Sequence, residues 1–134
     1  MITNNKFKAV LNVPYETAIE QATVALKEEG FGVLTQIDVK ATLKKKLDAD
    51  FRRYIILGAC NPTLAHQALQ AELDIGLLLP CNVIVYEDDE GQSVVSIIDP
   101  MAMLSVVEGG IVDNVATEAT ARLTRVAERL NNKN

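Results

Sequence analysis

Asn82-Val83-Ile84-Val85-Tyr86, then Asp88-Asp89-Glu90-Gly91, then Ser93-Val94-Val95-Ser96-Ile97-Ile98 reads as two short strands joined by a turn. A hairpin of this kind needs antiparallel neighbours. This decides the fold class. The first half of the chain alternates strand and helix patterns, which alone would point to a doubly wound parallel sheet. The predicted order over the whole chain is β-α-β-α-β-α-β-β-α-α. With the hairpin in it, the sequence is that of an α+β domain: one largely antiparallel sheet of about five strands, with helices packed mainly on one face.

Upstream of the hairpin, Tyr54-Ile55-Ile56-Leu57-Gly58-Ala59 is a continuous apolar strand, which predicts burial on both faces or at an interface. Cys60 follows it. Asn61-Pro62 then opens a helix, with asparagine as the cap and proline at the first helical position. Leu64, Ala65, Ala68, Leu69 and Leu73 form its expected inner face, and residues 74–76 break it. Closer to the N-terminus, residues 6–13 form a first strand that Pro14 stops. A helix with Tyr15, Ala18, Ile19, Ala22, Ala25 and Leu26 on one face then runs to Gly30. Residues 31–39 form a second strand. Asp38 is placed to cap a short basic helix whose Val39, Leu43 and Leu47 share a face, and residues 48–50 make a turn.

Downstream, Asp99-Pro100 repeats the cap-plus-proline device before a nearly all-apolar helix over 101–107, and Gly109-Gly110 ends it. A last helix covers about 112–130, with Val112, Val115, Ala116, Ala119, Leu123, Val126, Ala127 and Leu130 inward. Glu118 and Arg122 are spaced to pair on its outer side. Residues 131–134 are a polar tail. No internal repeat, long linker or low-complexity segment interrupts the 134 residues, the usual length of one domain.

Composition narrows the function. The net charge of -5 argues against a nucleic-acid surface, which needs clustered Lys and Arg. The one basic cluster, Lys44-Lys45-Lys46, reads as a solvated helix face. No window reaches the ~18 apolar residues a membrane span needs. The N-terminal residues lack the apolar core of a signal peptide, so the expected location is cytoplasmic. In that compartment a stable Cys60–Cys81 disulfide is not expected.

Gly58-Ala59-Cys60-Asn61-Pro62, Leu78-Leu79-Pro80-Cys81-Asn82-Val83 and Asp99-Pro100 resemble the pattern of the family known only as domain of unknown function 302. Gly30-Phe31-Gly32-Val33, Ile37-Asp38-Val39 and Tyr54-Ile55-Ile56-Leu57 resemble it as well. The resemblance covers roughly residues 10–107. It implies a compact α+β domain with a curved sheet like that of the TATA-binding protein, and commonly a homodimer. It carries no established activity and leaves any cofactor unknown, and the likeness in fold does not imply DNA binding.

Both cysteines of the chain are followed by asparagine, and they are the candidate centre. Cys60 precedes a predicted helix N-terminus, where backbone N–H groups would stabilise a thiolate. If the chain brings Cys60 and Cys81 together, two soft sulfur ligands would suit Cu(I) or zinc, with further ligands from elsewhere. His66, the one histidine, lies too far along the third helix to join them. Cysteine is also a common small core residue. Asn61, Asn82, Asp38 and Tyr54 complete the candidate ligand-binding set, though Asp38 and Asp99 also read as helix caps and Tyr54 as an ordinary strand tyrosine. Met101, Met103 and Leu104 read as core or dimer contacts. Three functions stay open: a homodimeric small-ligand or metal-binding domain, a thiol-dependent redox enzyme or sensor, and an interaction module whose cysteines only pack.

Overall fold

The computed structural model describes residues 5–132. Five strands, β1 (Lys8–Leu11), β2 (Gly32–Asp38), β3 (Tyr54–Cys60), β4 (Cys81–Glu87) and β5 (Ser93–Ile97), form one open sheet. Their order is β1-β5-β4-β3-β2 and every pair is antiparallel. The hairpin predicted around Asp88–Gly91 joins β4 to β5, with Gly91 at positive φ. Helix α1 (Tyr15–Glu28) carries the chain from the β1 edge to the β2 edge. It ends as Gly30 turns to φ +84 and the Phe31 N–H donates back to the Leu26 carbonyl, the turn for which glycine is best suited.

Strand alternation sorts the side chains onto two faces. One face carries Ala9, Leu11, Ile55, Leu57, Ala59, Val83, Val85, Val95 and Ile97. It is buried against Ala18, Ala22, Ala25 and Leu26 of α1 and Leu123, Val126, Ala127 and Leu130 of α5 (Asp113–Asn132). The α5 stripe matches the sequence pattern position for position, apart from the half-buried Val115. Its outer side carries the expected pair, with the Arg122 Nε donating to Glu118 at 2.7 Å.

No helix covers the other face to the same extent. Register gives it three rows: Tyr54-Tyr86-Val94-Val10, Ile37-Ile56-Ile84-Ser96-Lys8, and Thr35-Gly58-Asn82. Ile56 and Ile84 are half-buried there, and Ile37 is exposed.

A smaller second core lies beyond the end of the sheet. Ala68 of α3 (Pro62–Ala71), Ile75, Leu104 of α4 (Pro100–Leu104), Val112 and Ala116 meet in it.

Four sequence expectations need correction. Helix α2 (Val39–Leu47) buries nothing, and Leu47 is exposed, because its main contacts, with β3 and β2, leave every one of its residues at least partly open. Leu73 falls in a 3-10 turn (Leu73–Leu78) after α3 and points outward rather than inward. The apolar segment 101–107 is helical only to Leu104, and Met101 and Val106 are exposed. The tail expected over 131–134 begins inside α5, which runs to Asn132, and its last two residues lie outside the described ones.

Candidate functional site

The local structure around Cys60 follows from the residue after it. Asn61 leaves β3 with extended backbone and accepts the Leu64 N–H on its Oδ1 at 3.1 Å, while Pro62 takes the first helical position. Across the sheet end, a cis Leu79–Pro80 peptide leads into β4, whose first residue is Cys81. Cys81 is paired with Ala59, one residue before Cys60. Alternation therefore puts Cys81 on the helix-covered face, while Cys60 ends its strand at the margin.

Both cysteines nevertheless line one cavity, of about 40 Å³, at the seam between the two cores. Asn61 lines it too. Its remaining wall is apolar, with Phe31, Leu64, Ala68, Met103, Leu104 and Ala119 among the contributors. The space exceeds the ~10–15 Å³ that a single water centre needs, yet it offers water few polar partners.

The other candidates lie elsewhere. Asn82 is exposed on the uncovered face, opposite Gly58. Tyr54 stacks on Tyr86 on that face, with ring centroids 5.4 Å apart and planes 10° from parallel. Asp38 caps α2 at the sheet edge, its Oδ1 accepting the Ala41 N–H at 2.9 Å. The set read from the sequence thus divides into Cys60, Asn61 and Cys81 at the cavity, Asn82 and Tyr54 on the open face, and Asp38 in a cap. Of the residues read as core or dimer contacts, Met101 is exposed, while Leu104 belongs to the second core with Met103 packed against it, and these two also line the cavity. Only the meeting of α3, α4 and the sheet end gives them that place.

The electrostatics reverse one expectation. Burial pushes the Cys60 thiol up, and it pushes Cys81 up to about 11, with the charge of an ionised Cys60 adding to the effect. Burial thus works against a thiolate at Cys60, and Asn61 already occupies the Leu64 N–H at the start of α3. Both thiols are neutral near pH 7. Among the described residues no group of three or more His, Cys, Asp or Glu comes together, so the two sulfurs gain no further ligand of that kind. His66 is exposed on α3 and does not line the cavity.

The model of the family "Domain of unknown function DUF302" matches residues 7–130, which extends the resemblance seen in the sequence through α5. The fold matches the crystal structure of an uncharacterised conserved DUF302 protein from Bacillus stearothermophilus, with a TM-score of 0.86 and 28% identity. That match covers 97% of this chain and 98% of the other. No curated protein matches the sequence. No described helix is long and apolar enough to cross a membrane.

Proposed function

The chain belongs to the DUF302 family, and we propose that it is a non-catalytic binding domain, working as a homodimer, that takes a small and largely apolar ligand in the cavity beside Cys60, Asn61 and Cys81. The observation that carries this reading is the cavity itself: a cleft with an almost wholly apolar wall and one amide at its margin. Binding sites for small molecules commonly combine an apolar wall with a few placed polar groups. The raised thiols favour binding over thiol chemistry, since a neutral thiol is a poor nucleophile and a poor metal ligand.

Native mass spectrometry of protein purified from cells tests it, together with 129Xe NMR of the emptied protein. The expected result is a bound organic molecule, or xenon uptake by the emptied cavity. Ala119→Leu, which adds bulk to the cavity wall, should abolish either one with the circular dichroism unchanged. Protein that rejects xenon and short hydrocarbons would overturn the reading, and stoichiometric Cu(I) or zinc would replace it with a metal site.

The homodimer rests on a separate observation. The uncovered sheet face, with Ile37, Ile56, Ile84 and the stacked tyrosines, supplies an apolar surface for a second copy.

A further inference from the structure

A groove of about 370 Å³ lies against the second core, and none of its residues lines the cavity beside Cys60. Part of its lining is the 3-10 turn Leu73–Leu78. Three residues per turn set side chains i and i+3 above one another. Ile75 and Leu78 therefore turn toward the second core, while Asp74 and Leu77 share the outer face. Leu77 is 87% exposed. The rest of the apolar lining is Val106, Val107 and Ile111, on either side of the turn Glu108–Gly110. Val106 and Ile111 are exposed as well. Large apolar side chains gathered in one open groove are a common mark of a protein contact.

Charge sets the kind of partner. Glu72 and Asp74 also line the groove. The Glu72 carboxylate accepts the Asp74 N–H at 3.0 Å, which holds both acids at the start of the turn. Neither forms an ion pair among the described residues, whereas Glu28, Glu29, Glu87, Asp89 and Glu118 all do. The sequence explains why. No Lys or Arg occurs between Arg53 and Arg122, and α3, α4 and both turns fall inside that interval. His66, the one histidine, does not line the groove either. An apolar groove with two uncompensated carboxylates complements an apolar segment that carries cations.

We propose that this groove docks a segment of a partner protein that sets large apolar side chains against Leu77, Val106 and Ile111 and places a Lys or Arg beside Glu72 and Asp74. A second copy of this chain has one stretch of that type, residues 43–47 of α2. Lys44 there already pairs with Asp48 and Asp50, and Leu43 is half-buried in its own chain, so the occupant is a different protein.

A phage-displayed library of random peptides, selected on the folded wild type, tests this. Enriched peptides should combine large apolar residues with adjacent Lys or Arg. Added to 15N-labelled protein, they should shift the amides of residues 72–78 and 106–111. Leu77→Glu should weaken such a peptide roughly tenfold or more, the loss expected for one buried leucine contact. Val106→Glu, on the other segment, should do the same. Asp74→Asn should weaken it roughly two- to fivefold, an effect that fades at high salt. Glu90→Gln, at the exposed hairpin turn, should change nothing. All four positions are exposed, and thermal melts check that each variant is folded. An empty selection, enriched peptides without cations, binding that Leu77→Glu and Val106→Glu leave intact, or shifts confined to the hairpin turn or the open sheet face overturns the proposal. A wild-type dimer that Leu77→Glu splits into monomers gives the groove to a second copy and overturns it too.

Discussion

Gly58 has no room for a side chain. A Cβ there would overlap Thr35 Oγ1 and come within 2.7 Å of Pro80 Cγ. The ring of Pro80 cannot swing aside, so Gly58→Ala should cost about 1–3 kcal/mol as overpacking. Urea unfolding measures it, and Thr35→Ala in the same background should recover only part of the loss because Pro80 remains. An unchanged midpoint for Gly58→Ala would refute the packing argument.

Glu29 gives a second residue-level prediction. It is buried beneath Arg125 and Arg129, whose Nε and Nη2 donate to its two oxygens at 2.9 and 3.0 Å. Burial by itself would raise its carboxyl, but the hydrogen bonds and charges of the two arginines prevail and hold it below the ordinary range. A lowered folded value means that this contribution is complete above the ordinary glutamate value of ~4.3 and fades as pH falls through the folded one. Glu29→Gln should therefore be less stable than wild type at pH 7, by about 1–2 kcal/mol given how exposed the arginines are. The gap should close in unfolding curves taken toward pH 3. A gap that stays constant with pH would show that the ion pairs are not its source.

Among the elements, α2 and α5 are opposites. α5 lays six buried residues along the two cores, whereas α2 has none and is held by the Asp38 cap and by Lys40 Nζ donating to the Phe51 carbonyl at 2.7 Å. Few buried contacts mean a low free energy of local opening. In hydrogen exchange followed by mass spectrometry, the amides of α2 should exchange far faster than those of α5. Asp38→Ala, a lost cap of ~1 kcal/mol, should speed α2 and leave α5 unchanged. Equal protection of the two helices would mean that a partner covers α2.

The same contrast explains what the sequence could reveal. The α5 stripe, the caps at Asn61 and Asp99 and the hairpin turn are local signals, so their residues could be named in advance. The face Val39-Leu43-Leu47 has the same helical spacing, yet periodicity cannot say whether anything lies opposite it. Asn82 shared with Asn61 only its place after a cysteine, and no local signal said which way it faced. Register then sends one to the open face and caps a helix with the other. Burial and its effect on the thiols depend on α4 and α5 arriving from far along the chain.

At the scale of the molecule, the sheet is sandwiched on one side only. Its central row on the uncovered side, Ile37-Ile56-Ile84, ends in Ser96 and Lys8, so the apolar surface is bounded rather than continuous. A bounded patch of this kind suits a two-fold contact between identical chains, where each residue meets the same surface on its partner. Light scattering on a sizing column should give twice the 14.6 kDa chain mass, with a Tm that rises with protein concentration because association stabilises the folded form. Ile84→Lys places a charge in the middle of the row, where its stem can lie along the half-buried site while the ammonium meets the partner's apolar face. That variant should run as a monomer whose Tm no longer depends on concentration. Leu73→Lys, at a largely exposed position in the turn after α3, should remain dimeric. A wild type that stays monomeric at ~100 μM, well above the micromolar dissociation constants that standard-size interfaces reach, would leave the open face without the second copy assigned to it.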